Sequence, residues 1–260
     1  MAGKGGAEAP DYSVPALEKA FDIIELLAGQ KEGLNQGQIS EAVGRSIHQI
    51  YRVLQALERR GYIFRDRPAG LYYLSTRMFE LAHRHEPLRG LEQAALPSMR
   101  RLSDVIRQSC NLGIHNAGRV LILAQVESPA AFGFRVRVGA EFPLFGTATG
   151  RTLMAFQPED VADRWLEAGE AGDEAARIRT ALAGIRATGH AEVADAQQPG
   201  VTDLAFPVLG PFGAAVAALT VPYIATTYST LDLATVRRQA ADAANEIGAV
   251  LAGAGGQPSP

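Results

Sequence analysis

The sequence predicts an α+β fold in two parts, a small winged helix-turn-helix followed by a larger antiparallel sheet with helices packed on it. The first part is predicted by two short amphipathic helices around a glycine, followed by a hairpin-like run. The second part is predicted by hairpin-linked strands that lie between helices instead of alternating with them. A length of 260 residues fits two domains of ordinary size.

The N-terminal part is predicted to contain a disordered polar arm at 1–12 and a winged domain at 13–75. Ser13 and Pro15 open a first helix, and Gly29 ends it. This helix is expected to pack under the two helices that follow.

The helix-turn-helix begins at Asn35, where Gln38 three residues later predicts a capping box. Gly44 ends this helix, because glycine enters the left-handed conformation without steric cost. The next helix follows Ser46 and ends at Gly61. Its predicted core face comprises Ile47, Ile50, Val53, Leu54 and Leu57. Its outward face presents His48, Gln49, Arg52, Gln55 and Arg59.

The winged segment is basic although the whole chain has a net charge of -3. Between positions 45 and 77 there are seven arginines and only two acidic residues, Glu58 and Asp66. A local basic patch on a helix-turn-helix indicates contact with nucleic acid phosphates. The candidate DNA-contacting residues are Ser46, His48, Gln49, Arg52, Arg65 and Arg67.

After the wing, the sequence predicts a linker helix at 76–87, a sheet domain at 88–252 and a disordered tail at 253–260. A long helix runs from Leu88 to Arg107, and Pro97 is expected to bend it or break it in two. The predicted strands are Cys110–His115, Arg119–Val126, 132–138, Asp203–Val208 and Ala214–Val221.

A candidate ligand site lies where a glycine-rich loop enters a helix at Thr147, Ala148, Thr149 and Gly150. The free amides and dipole of a helix start suit a carboxylate. Phe132 and Phe134, with Leu204 and Phe206, either line an apolar pocket or pack in the core.

Alternation along the last predicted strands places Asp203, Ala205 and Pro207 on one face and Leu204, Phe206 and Val208 on the other. Only one of the two faces can meet a ligand. If the face that carries Asp203 meets the ligand, Asp203 would accept a hydrogen bond from a hydroxyl or amine group. Alternatively, Asp203 would pair with Arg135 or Arg137 in a structural role.

Several classes of protein are disfavoured by the sequence. It contains no P-loop, nucleophile elbow, dinucleotide fingerprint or metal-spaced histidine pair, so we expect neither an enzyme nor a cofactor. Cys110 is the single cysteine, which excludes an internal disulfide and a cysteine-built zinc site. No apolar run is long enough for a bilayer, so we expect a cytoplasmic protein without a membrane partner.

Five features in this order and spacing resemble the IclR family of bacterial transcriptional regulators, over Val14 to Leu251. They are VPALEKAFDIIELL, IYRVLQALERRGYIFRD, VGAEFPLFGTATGRTLMA, TGHAEVADAQQPGVTDLAFPVLG and a terminal amphipathic helix. The resemblance implies a winged DNA-binding domain, a GAF-like effector-binding domain, and a homodimer or tetramer on double-stranded operator DNA.

The chain departs from the family pattern at both candidate sites. Ile47, His48 and Gln49 replace the usual Lys/Ser/Thr run, so the operator cannot be inferred from relatives. Asp203 stands where many members have a pocket cysteine, and Val193 stands at a nearby acidic position. The resemblance therefore implies an effector other than a small oxoacid.

We expect a ligand-responsive regulator whose effector is a small organic acid or a hydroxylated aromatic metabolite. The alternatives are a ligand-independent architectural DNA-binding protein and, less favoured, an enzyme in the C-terminal domain. The expected effector-contacting residues are Phe132, Phe134, Thr147, Ala148, Thr149, Gly150, Val193, Asp203 and Ala205.

Overall fold

The computed structural model describes residues 14–84, 86–169, 171–194, 198–226 and 231–254. The chain divides into two compact units, 1–85 and 86–260. The arm predicted at 1–12, and the predicted tail from residue 255 onward, lie outside the described residues.

The first unit consists of short helices around a small sheet. Its elements are α1 (Pro15–Ala28), β1 (Leu34–Asn35), α2 (Gln36–Ala42), α3 (Ile47–Arg59), β2 (Ile63–Asp66), β3 (Leu71–Leu74) and α4 (Arg77–His83). The sheet is antiparallel with the order β1-β3-β2. The α2–α3 pair and the β2–β3 hairpin form the predicted helix-turn-helix and wing.

Local sequence signals define the ends of these helices. The amide of Asn35 donates to Gln38 Oε1 at 2.8 Å, and the amide of Gln38 donates to Asn35 Oδ1 at 2.9 Å. The predicted capping box is therefore confirmed. Gly44 follows α2 with φ of +63°, the left-handed conformation expected of a residue that ends a helix there.

The core of the first unit is formed by α1, α2, α3 and the sheet. Its buried residues are Ile23, Leu27, Ile39, Ile50, Leu54, Leu57, Ile63 and Tyr72. The prediction that Ile47 belongs to this core is wrong, because its side chain is 48% exposed. Ile47 begins α3, and the core contacts start one turn later at Ile50.

The second unit is a six-stranded sheet between helical layers. Its elements are α5 (Glu86–Ile106), β4 (Cys110–Asn116), β5 (Arg119–Val126), β6 (Glu141–Pro143), α6 (Ala148–Ala155), α7 (Glu159–Ala168), a 3-10 turn (Gly172–Glu174), α8 (Ala175–Thr188), β7 (Ala191–Ala194), β8 (Val201–Leu209), β9 (Ala215–Ile224) and α9 (Leu233–Ala254). The strand order is β6-β5-β4-β9-β8-β7, and all pairs are antiparallel. The predicted α+β class is confirmed.

Each face of the large sheet has its own core. Leu204, Phe206 and Val208 of β8 pack with residues of α5 and α9. Ala205 lies in the other core, with residues of α6, α7 and α8. Leu204 and Phe206 are thus core residues of the α5–α9 layer, and they do not line a pocket on the Asp203 side.

Three further features of the second unit differ, in whole or in part, from the predictions. Residues 132–138 form no strand and belong to a loop at 127–140. The helix α5 continues unbroken past Pro97, so the alternative of two separate helices is excluded. The helix α9 extends to Ala254, two residues into the predicted tail. The short strands β6 and β7 were not predicted.

None of the helices in the described parts of the chain combines the length and the apolar character of a membrane span. The same parts contain no group of three or more His, Cys, Asp or Glu residues placed to hold a metal ion.

Candidate functional site

The second unit contains a cavity of about 220 Å³ on the side of the sheet that carries α6. It is bounded by the strands β4, β5, β8 and β9, by the start of α6 and by the loop 127–140. Its polar and charged lining residues are Asn111, Arg135, Arg137, Thr147, Thr149, Gln198, Asp203 and Thr220. Its larger apolar lining residues are Val120, Ile122, Phe134, Val136, Phe142, Val201 and Pro222.

The sheet supplies the floor of the cavity through three adjacent strands. Asn111 on β4 lies directly opposite Thr220 on β9, and Asp203 on β8 lies opposite Pro222 on β9. Asn111 and Thr220 are 4% and 3% exposed. The register therefore places two buried polar groups on β4 and β9 and a carboxyl group farther along the floor, on β8.

The start of α6 forms one wall and is fixed by its own hydrogen bonds. Thr147 Oγ1 caps the helix by accepting from the amide of Gly150 at 3.0 Å. The hydroxyls of Thr149 and Thr220 are 2.8 Å apart and hydrogen-bonded to each other. The Gly150 amide is consequently occupied by Thr147, so it is not one of the free amides predicted to bind an anion.

Another wall is the loop 127–140, which contributes two exposed arginines to the cavity. Arg135 forms a salt bridge with Glu127 at 3.0 Å, and its side chain is 77% exposed. Arg137 is exposed and has no salt bridge within the described segments. The structural alternative in which Asp203 pairs with either arginine is wrong.

The electrostatics of Asp203 differ from those of a surface carboxylate. Burial raises its pKa above the ordinary value, because the charged form is removed from water without a paired cation. A half-buried carboxyl group without a paired cation gains from a ligand that donates a hydrogen bond to it.

The outward surface of the winged unit differs from the prediction at Gln49. The amide of Ser46 donates to Gln49 Oε1 at 3.1 Å, which fastens the side chain to the start of α3. Bidentate reading of adenine needs both the oxygen and the nitrogen of a glutamine amide, so the predicted role of Gln49 is inconsistent with this conformation.

The remaining predicted DNA-contacting residues are all exposed. Ser46, His48 and Arg52 lie on or next to α3. Arg65 lies on the wing with its guanidinium carbon 5.3 Å from the ring centre of Tyr72, and Arg67 follows on the hairpin turn. Tyr51, which was not predicted as part of this surface, is 48% exposed and accepts from Gln55 Nε2 at 2.8 Å.

Comparison with protein families identifies this arrangement. Residues 16–67 match the IclR helix-turn-helix domain, and residues 88–249 match the C-terminal domain of bacterial IclR transcriptional regulators. The chain belongs to the IclR family. The IclR family consists of DNA-binding transcriptional regulators, so this protein is a regulator and not an enzyme.

Individual relatives of this IclR-family protein are similar over most of their length. The regulator KdgR of Escherichia coli is 27% identical over 227 residues, covering 85% of this chain and 86% of KdgR. The regulator BhcR of Paracoccus denitrificans is 28% identical over 253 residues, covering 94% of this chain and 90% of BhcR.

Two crystal structures of IclR proteins share the fold. Thermotoga maritima IclR superposes with a TM-score of 0.73 at 19% identity, covering 91% of this chain and 98% of that protein. An IclR homologue from Microbacterium hydrocarbonoxydans, complexed with 4-hydroxybenzoate, superposes with a TM-score of 0.72 at 21% identity and the same coverage.

The structure of this IclR-family chain brings together only some of the predicted effector contacts. Phe134, Thr147, Thr149 and Asp203 line the cavity. The predicted residues outside the lining are Phe132, Ala148, Gly150, Val193 and Ala205. Phe132 is 66% exposed on the loop, and the other four lie in or against the core beside α6.

Asn111, Thr220 and Gln198 line the cavity but were missed from the sequence. A signal existed for the first two, since Asn111 and Thr220 are single polar residues within the otherwise apolar runs CNLGI and AALTVPY. No comparable signal marks Gln198.

Proposed function

We propose that this protein is a ligand-responsive regulator whose winged domain binds operator DNA and whose sheet domain binds a small organic acid or a hydroxylated aromatic metabolite. We assign 13–75 to DNA binding, 76–87 to the linker and 88–252 to effector binding. The protein acts in the cytoplasm as a homodimer or tetramer, and the effector changes its affinity for the operator.

The observation that carries this proposal is the cavity beside α6. Metabolite sites typically combine apolar walls with a few polar groups that fix the orientation of the ligand. Here Val120, Ile122 and Phe142 supply apolar surface, Asn111 supplies a buried amide group and Asp203 a half-buried carboxyl group. The cavity lies within the segment that matches the C-terminal IclR domain.

The two arginines of the loop favour an acidic ligand. A carboxylate near Arg137 would meet a guanidinium that has no competing salt bridge among the described residues. The apolar walls accept a ring or a short aliphatic body, and a polar group of the floor, Asn111 or Asp203, accepts a hydrogen from a hydroxyl group. The 4-hydroxybenzoate bound by the Microbacterium homologue has all three features, which supports the same class of effector here.

The effector part is tested by thermal unfolding of the full-length protein with 4-hydroxybenzoate and a panel of small organic acids. A ligand that binds only the folded state raises the melting temperature with concentration. The same ligand is expected to change operator retention in a gel-shift assay. Shifts in neither assay for any acid would favour the architectural DNA-binding alternative.

The DNA part is assigned to Ser46, His48 and Arg52 at α3 and to Arg65 and Arg67 on the wing. The first turn of a recognition helix presents side chains to base edges, and arginines nearby contact phosphates. Gln49 contributes at most through its Nε2 donor, since its oxygen holds the helix start.

Replacing Arg52 with alanine tests this assignment against an operator selected from a random-sequence library with the wild-type protein. Loss of a guanine contact costs about 1–3 kcal/mol, which corresponds to roughly 5- to 150-fold weaker binding. Arg164→Ala removes an exposed arginine from α7 and serves as the matched control. Unchanged affinity for Arg52→Ala would remove this residue from the contact set.

A further inference from the structure

Asn111 is a buried polar residue whose hydrogen-bonding needs the fold leaves unmet. It lies on β4 near the middle of the large sheet and is 4% exposed. Within the described residues, its Oδ1 atom has no hydrogen-bond partner. Buried acceptors are paired in the great majority of cases because an unpaired one lowers stability, so this exception calls for an explanation.

The neighbours of Asn111 do not supply the missing donor. Thr220, directly opposite in the β4–β9 register, shares a hydrogen bond with Thr149 at 2.8 Å. Gln125, opposite Asn111 in the β4–β5 register, donates its Nε2 hydrogen to the carbonyl oxygen of Val126 at 3.3 Å. Because Asn111 lines the cavity, a bound molecule is the donor that these neighbours leave available to its Oδ1 atom. A ligand that fills this end of the cavity without a donor leaves Asn111 Oδ1 unpaired.

The position of Asn111 also separates it from the other polar groups of the cavity. Asp203 lies two strands away, about 10 Å across the sheet, so one ligand hydroxyl does not serve both residues. Arg135 and Arg137 are exposed on the loop, whereas Asn111 is buried. The cavity thus has a cationic mouth and, at its buried end on β4, a neutral acceptor.

We propose that Asn111 is a specificity residue that recognises a hydroxyl or amine hydrogen on the effector, at the end of the ligand remote from its carboxylate. This inference rests on the proposed effector class. It adds that the cavity selects, within this class, ligands that carry a hydrogen-bond donor. The preferred ligands are small carboxylic acids that carry a hydrogen-bond donor opposite the acid. Acids of the same shape without that donor are rejected, because they leave Asn111 Oδ1 unpaired.

Isothermal titration calorimetry of the full-length protein at pH 7 tests this with four probes. The probes 4-hydroxybenzoate and 4-aminobenzoate carry the donor, whereas 4-fluorobenzoate and benzoate lack it. We expect both donor-bearing acids to bind at least about tenfold more tightly than 4-fluorobenzoate. The Asn111→Leu variant is expected to bring that ratio close to one.

Two controls separate recognition from support of the fold. Asn116→Leu makes the same change at the exposed end of β4 and is expected to keep the wild-type ratio. Without ligand, Asn111→Leu is expected to melt no lower than the wild type, because it removes an unpaired buried acceptor. A purely structural asparagine would instead lower the melting temperature and leave the ligand ratio unchanged.

The outcomes distinguish a failure of the role of Asn111 from a failure of the proposed effector class. If 4-fluorobenzoate binds the wild type as tightly as 4-hydroxybenzoate, the role of Asn111 is refuted while the effector class stands. A preference for donor-bearing acids that is retained in Asn111→Leu, or in Asn111→Ala if the leucine variant does not fold, would assign the donor to Asp203 and refute the inference as well. If none of the four acids binds, the proposed effector class fails and the inference falls with it.

Discussion

Replacing Gly150 with alanine is expected to destabilise the second unit. Gly150 lies in the first turn of α6, and a Cβ atom there would be 1.9 Å from the carbonyl oxygen of Leu144. The same atom would be 2.7 Å from the carbonyl carbon and 3.0 Å from the Cα of Leu144. All three are backbone atoms, so no side-chain rotation relieves the overlap and the helix start has to move.

The expected magnitude follows from two opposing effects. Inserting a methyl group into a packed site costs about 1–3 kcal/mol, and a clash with backbone lies at the upper end or beyond it. Alanine is favoured over glycine in a helix by about 0.8–1.0 kcal/mol, which offsets part of this cost. A net loss of at least about 2 kcal/mol, or about 4–8 °C in melting temperature, is expected.

The assay is thermal and urea unfolding followed by circular dichroism, with Gly184→Ala as the matched control. Gly184 lies within α8, where an added Cβ atom meets nothing within 4 Å. This variant is expected to gain about 0.5–1 kcal/mol from the same chemical change. A Gly150→Ala protein as stable as the wild type would refute the close approach of α6 to Leu144.

Three other predictions follow from the described contacts. Gln49→Ala is expected to lower the free energy of unfolding by about 0.5–1 kcal/mol, because it removes the hydrogen bond from the Ser46 amide. The base preference of this variant in a binding selection should stay that of the wild type. A changed base preference without destabilisation would contradict this. Asp203→Asn is expected to melt higher than the wild type at pH 7. Burial raises the folded-state pKa of Asp203, so the wild type loses stability as the pH rises above the ordinary pKa of 3.8. The difference in melting temperature between Asp203→Asn and the wild type should therefore narrow when the pH falls below about 4. Burial raises the pKa of Cys110 to about 12, so the thiol is expected to resist 5,5′-dithiobis(2-nitrobenzoate) at pH 8 until urea unfolds the protein; rapid labelling of the folded chain would show that the thiol is accessible.

The helix-turn-helix was predictable because its signals are local. Helix starts and ends depend on residues three or four positions apart, as at Asn35 and Gln38. The same spacing of a serine and a glutamine exists at Ser46 and Gln49, where the sequence alone suggested a base-reading role. A glutamine in the first turn of a recognition helix satisfies both patterns, and the hydrogen bond of the Ser46 amide decides between them.

The segment 132–138 shows why period-2 alternation alone does not predict a strand. A strand needs a free edge to pair with, and the nearest edge is that of β5. The strand β6 occupies part of this edge through the pairs Arg119–Pro143, Val120–Phe142 and Leu121–Glu141. The next position, Ile122, is bonded to Gly139 and Ala140. The alternating residues are left as a loop, where they form one wall of the cavity.

The cavity itself could be predicted only in part. Thr147, Thr149 and Asp203 were found because a loop entering a helix and an acid in an apolar strand are visible in the sequence. The position of Asn111 depends on the pairing of β4 with β9, which are about a hundred residues apart in the chain. A long-range register of this kind follows from the packing of the whole sheet and from no local pattern.

The attachment of α6 to the sheet limits how the cavity can adapt in size. Thr149 is bonded to Thr220, Thr152 Oγ1 donates to the carbonyl oxygen of Ala205 at 3.2 Å, and Gly113 leaves room for the Thr149 methyl group. A shift of α6 would break both hydrogen bonds at once, whereas residues 130–138 of the loop belong to no strand of the sheet. We therefore expect longer ligands to displace residues 130–138 while α6 stays in place. Substitutions in this loop should then determine the length of ligand that the cavity accepts.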